Sequence, residues 1–338
     1  MKCSVVILNW NGEQMLRQFL PSVLEHTQTS SVDVVVADNG STDGSLAFLQ
    51  TQPVRIIQLD QNYGFAEGYN RAIAQVDADY VVLLNSDVEV TPHWLDILLE
   101  YMDSHPHTMA VQPKVISWHS QQDYIAGKIP AVRFEHAGAA GGMMDILGYP
   151  YCRGRILGYV EEDNGQYDSV IPIFWATGAC FLTRTRIYRE LGGLDAQFFA
   201  HQEEIDLCWR MHNSTQNQGD IVCVPQSVVY HVGGGTLGYE SPRKTFLNFR
   251  NNLLMLYKNL PSNMRFWVML LRFFMDYLAA AQMLVTRQFG NVKAVFQARY
   301  AYHKMKRHYT IQSDNCRGVK LLTRRSIIID YYLKGKRK

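Results

Sequence analysis

Cysteine is sparse in this 338-residue chain and never falls at metal-ligand spacing. Cys3, Cys152, Cys180, Cys208, Cys223 and Cys316 lie far apart, with no CxxC among them. That excludes a zinc ribbon or disulfide scaffold and points to free thiols in a reducing compartment. The start lacks a charged segment leading into an apolar one; Cys3 goes straight into a strand pattern. The expectation is a chain without a signal peptide, its active part in the cytoplasm. After the first strand pattern the sequence reads NWNGEQ rather than GxGxxG, which argues against NAD or FAD. GxxxxGKS and GxxxxGKT are absent, which excludes a P-loop, and so is the Gly-rich basic loop of a sugar-nucleotide pyrophosphorylase. Met264–Val285 is rich in Phe, Trp, Leu and Met, yet Arg265, Arg272 and Asp276 leave no uncharged run near the ~20 residues of a membrane span.

Net charge is only +2 but unevenly spread. From Arg287 to Lys338, fourteen Lys and Arg face only Asp314 and Asp330, so the tail carries +12 and the remainder about −10. A basic tail on an acidic body implies an anionic surface as partner. No nucleic-acid motif accompanies the charge, so an anionic membrane is expected and nucleic acid is not. Arg265, Arg272 and Asp276 share one helical stripe, and Arg272 and Asp276 can pair. The rest of that helix is broadly apolar. It packs on the enzyme or a second subunit, or lies in a membrane interface; the oligomeric state stays open.

Apolar runs at Ser4–Leu8, Asp33–Ala37, Val54–Leu59 and Tyr80–Leu84 read as strands, separated by helical patterns. Alternating strands and helices predict an α/β fold with a mostly parallel sheet. The central stretch is YVVLLNSDVEVTP, where a buried strand ends in Asn85, Ser86 and Asp87. Thr91 is expected to cap a helix over His93–Met102, with Pro92 at its first position. Asp38 and Asp87 both follow strands at the sheet edge where ligands bind in open α/β folds. Such acids reach a diphosphate through a divalent cation, or accept from a base or ribose; an Asx turn is the other reading for Asp38 and Asp43. Gly138–Gly142 reads as a loop, and Glu161, Glu162, Asp163 and Asp168 as a solvated charged face. Glu203, Glu204 and Asp206 put three acids at the start of a helix, more than capping needs.

Six strings then carry a resemblance: SVVILNWNG, VVADNGSTDGS, NYGFAEGYNRAI, VVLLNSDV, WATGACFLTRTRIYRELGGLDAQFFAHQEEIDLCWR and HVGGGTLG. In order and spanning about Ser4 to Asn252, they resemble a family 2 glycosyltransferase of the GT-A fold, in the rhamnosyltransferase-like branch of bacterial surface-polysaccharide synthesis. The resemblance implies a Rossmann-like GT-A domain over 1–258, with a nucleotide half to 115 and an acceptor half from 116, and a helical basic region over 259–338. It implies inverting transfer from a nucleoside-diphosphate sugar, UDP- or dTDP-linked, to a hydroxyl of a lipid-linked or cell-surface glycan. The protein would act peripherally on the inner face of the cytoplasmic membrane. Donor-nucleotide contacts are expected from Asn9, Asp38, Asn62, Gly64, Asn85 and Arg243. Asp87 matches the last acid of the family's DxD motif, whose first position here is Asn85. With His231, Asp87 is expected to hold Mn or Mg. Glu204 matches the catalytic base, with Glu203 beside it as the alternative, and Asp206 braces the helix. Gly233–Gly235 with Arg243, Lys244 and Arg250 read as a loop closing over the diphosphate, with a solvated basic helix as the competing reading. The chain lacks the QxxRW of processive synthases. A nucleotidyltransferase-type enzyme and an inactive binding homologue are the alternatives.

Overall fold

The computed structural model describes residues 1–27, 30–233, 241–309 and 317–335. Gly234 and Gly235 of the expected glycine loop, Cys316 and the last basic residues lie outside them. The main sheet contains β1 (Cys3–Asn9), β2 (Val32–Asn39), β3 (Arg55–Leu59), β4 (Tyr80–Asn85), β5 (Val88–Val90) and β6 (Ala110–Ser117). A small antiparallel sheet follows, of β7 (Gly142–Met144), β8 (Pro150–Cys152), β9 (Arg155–Ile156) and β10 (Tyr159–Val160). The chain then returns to the main sheet with β11 (Ile171–Ile173), β12 (Cys180–Arg184) and β13 (Ile221–His231). Helices in the same span are α1 (Glu13–His26), α2 (Ser45–Leu49), α3 (Gly64–Ala74), α4 (Trp94–Ser104), α5 (Trp118–Ile125), α6 (Thr185–Glu190) and α7 (Glu203–Asn213). Then come α8 (Pro242–Asn259), α9 (Ser262–Val285), α10 (Phe289–Met305) and α11 (Ile327–Tyr332).

The order across the main sheet is β11-β13-β6-β12-β4-β1-β2-β3, with β5 on β13. β4 explains why two layers of helix form. Its side chains alternate faces: Val81 and Leu83 join Tyr69 and Ala72 of α3, whereas Val82 and Leu84 join Leu16 of α1 and Trp94 of α4. The parallel expectation holds for β1 to β4. Beyond them the sheet is mixed, because β12 enters antiparallel to both β4 and β6.

Three local expectations are corrected. α4 begins at Trp94, with His93 in a left-handed conformation (φ 63°). Thr91 does not cap it: its hydroxyl donates to the Val228 carbonyl, because the unforeseen β5 carries this segment onto β13. The glycine-rich run is not an open loop; Ala139 and Ala140 are fully buried. A Cβ on Gly141 (φ +111°) would stand 2.5 Å from Ile173. Nor is the acidic run simply solvated. Lys114, on β6, pairs with Asp163 at 2.8 Å and with Asp168, pinning the 116–173 insert to the sheet.

The C-terminal helices are tied on by polar contacts from the stripe noted above. Arg272 pairs with Asp276 at 3.3 Å and also donates to Asn252 of α8. Asp276 accepts from Arg299 of α10. α9 is long and apolar enough, by length and composition, to cross a membrane, yet this buried inner stripe holds it along the domain.

Candidate active site

Sheet pairing assembles the acidic end of the site. β5 runs antiparallel to β13, setting His231 opposite Val88, while the Val232 amide donates to the Asp87 carbonyl at 3.1 Å. His231 Nε2 therefore lies 3.2 Å from Asp87 Oδ1 and 3.4 Å from the Asn85 amide nitrogen. On its other side, Nδ1 lies 3.5 Å from Glu135 Oε2. Burial works against charge on the imidazole, but Asp87 and Glu135 more than offset it and lift His231 to about 10. The same pairing holds Asp87 below the usual carboxylate range despite its burial.

A second group stands at the N-terminus of α7. Glu203 and Glu204 each have an Oε2 that is buried with no hydrogen-bond partner, and so does His201 Nε2. Burial raises Glu203 well above its ordinary value, and the neighbouring Glu204 charge adds to this. Burial likewise lifts Glu204 to about 7, and pushes His201 down to about 4. The loop before them is strained: Phe199, His201 and Gln202 have φ of 66°, 71° and 74°. Asn251 of α8 holds that shape, its amide donating to the carbonyls of Phe198, Ala200 and His201 at 3.0, 2.9 and 2.8 Å. Asp206 faces away and braces the helix, accepting from Arg210 (2.8 Å), Lys258 (2.9 Å) and Asn259 (2.9 Å).

One cavity of about 2340 Å³ joins these groups; Asn62, Gly64, Asn85, Asp87, Glu203, Glu204, His231 and Arg243 all line it. Gly64 (φ +79°) lets Phe199 approach; a Cβ there would be 2.5 Å from the ring. Arg243 lies over the same ring, 5.1 Å from its centre. Asn9 and Asp38 do not reach the cavity. Both are fully buried, Asn9 donating to Asp38 at 3.1 Å and the Ser41 amide donating to Asp38 at 3.0 Å. In this arrangement the two side chains support the loop that carries Asn39 and Asp43 to the cavity wall. Arg243 and Lys244 belong to the first turn of α8 rather than a loop. Arg250 points elsewhere, donating to the Gln197 and Phe198 carbonyls. Sequence reasoning missed Glu135, His201 and Asn251. Of these, His201 lies inside the matched string WATGACFLTRTRIYRELGGLDAQFFAHQEEIDLCWR and Asn251 within the span of the resemblance, whereas Glu135 left no signal.

Asp87 Oδ1 and His231 Nε2 face each other as an ion pair at 3.2 Å. Carboxylate oxygen and imidazole nitrogen are both ligands that Mn²⁺ accepts, the imidazole once it has shed its proton. Glu135 meets the far side of the ring, so among the described residues no three His, Cys, Asp or Glu surround one point. Phosphate-bound Mg²⁺ sites often use only one or two protein carboxylates, the substrate's phosphates and water completing the shell.

A family description, Glycosyl transferase family 2, matches residues 4–141. Over 240 residues the chain is 30% identical to the N-acetylglucosaminyl-diphospho-decaprenol L-rhamnosyltransferase of Mycobacterium tuberculosis, covering 67% of this chain and 75% of that one. Among solved structures, S. aureus TarS 1–349 in complex with UDP-GlcNAc superposes with a TM-score of 0.55 at 16% identity, covering 99% of this chain and 93% of that chain. GalNAc-T7 with UDP, GalNAc and Mn²⁺ superposes with a TM-score of 0.60 at 15% identity, but this chain spans only 58% of it. At such identities these two likenesses speak to the fold, a GT-A α/β sheet with helices on both faces. The mycobacterial alignment and the match over residues 4–141 together make this chain a member of glycosyltransferase family 2, an enzyme of that class.

Proposed function

We propose that this enzyme transfers a sugar, with inversion, from a nucleoside diphosphate to a hydroxyl of a lipid-linked glycan, assisted by a divalent cation. One observation carries the reading: the free carboxylate oxygens of Glu203 and Glu204 line the same cavity as Asp87, His231 and Arg243. Glu204 is the base. It is the more accessible of the two, Glu203 being 4% exposed. At about 7 it is poised to take a hydroxyl proton near neutrality. Glu203 stays protonated beside it, because its burial and then the neighbouring Glu204 charge both disfavour its ionised form.

Asn85, Asn62, Gly64 and Arg243 line the donor end, and Asp87 and His231 hold the cation there. A bound cation supplies positive charge against the departing diphosphate. Arg243 adds a guanidinium suited to phosphate oxygens. The mycobacterial relative's decaprenol diphosphate acceptor supports a lipid-linked acceptor here, and the UDP of two structural neighbours supports a UDP- or dTDP-linked donor.

We take residues 1–258 as the catalytic unit and 259–338 as an appendage that lies on the inner face of the cytoplasmic membrane. Phe266, Trp267 and Phe274 on α9 are each more than 60% exposed, an apolar face on a helix followed by a basic tail. The test is a thermal-shift panel of UDP, dTDP, GDP and CDP, each with Mn²⁺, Mg²⁺ or EDTA. Stabilisation by one diphosphate, lost with EDTA and in Asp87→Ala, is the expected result. Equal behaviour of all four, with or without cation, overturns the donor-site assignment.

A further inference from the structure

The cavity that holds the two glutamates is larger than one donor needs. Its volume of about 2340 Å³ is over twice the roughly 300–1,000 Å³ of a single-ligand pocket. It continues to a second, apolar end lined by Met275, Leu278 and Met283 of α9 and by Ile329, Tyr332 and Leu333 at α11. Side-chain contacts trace the route. Gln202, next to Glu203, accepts from Asn252 at 3.2 Å, and Asn252 accepts from Arg272 on α9.

Both walls of this end are anchored from behind. The inner stripe of α9 carries the buried Arg272–Asp276 pair. α11 is held through Asp145, which accepts the Ile327 amide at 3.0 Å. Each wall nonetheless leaves large apolar side chains open: Leu278 is 65% exposed and Leu333 80%. The rigid backing and apolar lining make a groove rather than a frayed end.

The lining also carries two cations, Arg155 and Lys244, in the neighbourhood of His136 and Glu135. Arg155 Nε is buried and has no hydrogen-bond partner. An occupant that spans the cavity is therefore apolar against α9 and α11, anionic where it meets Arg155 and Lys244, and hydroxylic at the glutamates.

We infer that the α9–α11 groove receives the hydrocarbon chain of the lipid-linked acceptor, whose phosphate linker meets Arg155 and Lys244. This rests on the acceptor class proposed above and gives it a binding site. A docked protein would have no need of continuity with Glu204, whereas an acceptor must reach it. The chain enters sideways from the bilayer, and the sugar hydroxyl is carried inward to the base.

The probe is a farnesyl diphosphate bearing a terminal diazirine, photolysed with the full-length enzyme in detergent and mapped by peptide mass spectrometry. Labels are expected on 275–285 and 327–333. Leu278→Glu and Ile329→Glu should each cut that labelling about tenfold, since a carboxylate replaces the apolar wall, and their unfolding midpoints report whether the fold survives. Labels on Phe266, Trp267 and Phe296, labels spread in proportion to exposure, no labelling, or a dimer that buries the groove would each overturn the inference on the unsubstituted protein alone. A parallel transfer assay with nucleotide sugar and extracted membrane lipid separates the two readings. Transfer without groove labelling sinks the groove and leaves the function standing. Groove labelling without transfer to any lipid sinks the acceptor class.

Discussion

Replacing Asn251 with alanine tests whether the strained loop before Glu203 is held by one amide. Two amide hydrogens serve three carbonyls, those of Phe198, Ala200 and His201. Asn251 is fully buried, but Ala200 and His201 line the cavity, so water reaches part of what is lost. At about 1–3 kcal/mol for each stranded buried carbonyl, the stability loss should be about 2–3 kcal/mol. The three left-handed residues store about 1–3 kcal/mol each, and the loop relaxes once the amide is gone. Glu204 moves with it, and a shift of about 1 Å costs on the order of 10²-fold in turnover. Urea unfolding measures the first number. The second comes from kcat with saturating donor, while the donor KM changes less. A stability loss of the expected size with unchanged kcat refutes the strain argument. A fall in kcat with unchanged stability refutes the hydrogen-bond accounting.

Glu204→Gln should lower kcat about 10²–10⁴-fold and abolish the acidic limb of the pH profile. In the parent that limb should centre near 7, the value to which burial lifts Glu204, with activity rising as pH rises; a limb near 4.5 shows the base is another group. Because the folded state keeps a proton here that the unfolded chain sheds near its ordinary value, the parent loses stability as pH climbs from that ordinary value to about 7, and the loss is constant above it, where both states are ionised. Glu204→Gln should therefore raise the melting temperature at pH 8 more than at pH 5, read by scanning calorimetry. Asp206→Ala leaves Lys258 with Asp195 as its one carboxylate partner and Arg210 with carbonyls alone, and should cost about 3 kcal/mol, measured by urea unfolding. The paired change Trp267→Glu with Phe274→Glu should weaken sedimentation with anionic vesicles by about tenfold or more, leaving transfer to a soluble acceptor analogue intact.

Asp87 was legible because it ends a run of strand formers, and the C-terminal edge of such a strand is where ligands collect. Arg272 and Asp276 were legible as a pair because their spacing stacks them on one face of a helix. Glu135 left no trace. It sits in an irregular insert with no period, and its value lies in meeting a histidine nearly a hundred positions later. Asp38 had two readings, a ligand or a turn acid, and sequence could not choose between them: its oxygens accept from Asn9, distant in the chain, and from the nearby Ser41 amide. Lys114 and Asp163 show the same limit: an acidic run reads as solvated until the buried partner is known. Contacts made by distant segments of one chain carry no local pattern.

The pairing of β13 between β6 and β11 also governs when this protein can exist. β6 is complete at Ser117, but its parallel partner begins only at Ile221. During synthesis one side of β6, and β4 until Cys180 arrives, presents unpaired backbone groups to other chains. The Asp87–His231 pair is later still, since His231 ends the last strand of the sheet to emerge. The nascent chain thus passes through a long interval with sticky edges and no ligand to hold it. Fragments ending before β13 should be found in aggregates, and the full sheet should form late and as one event.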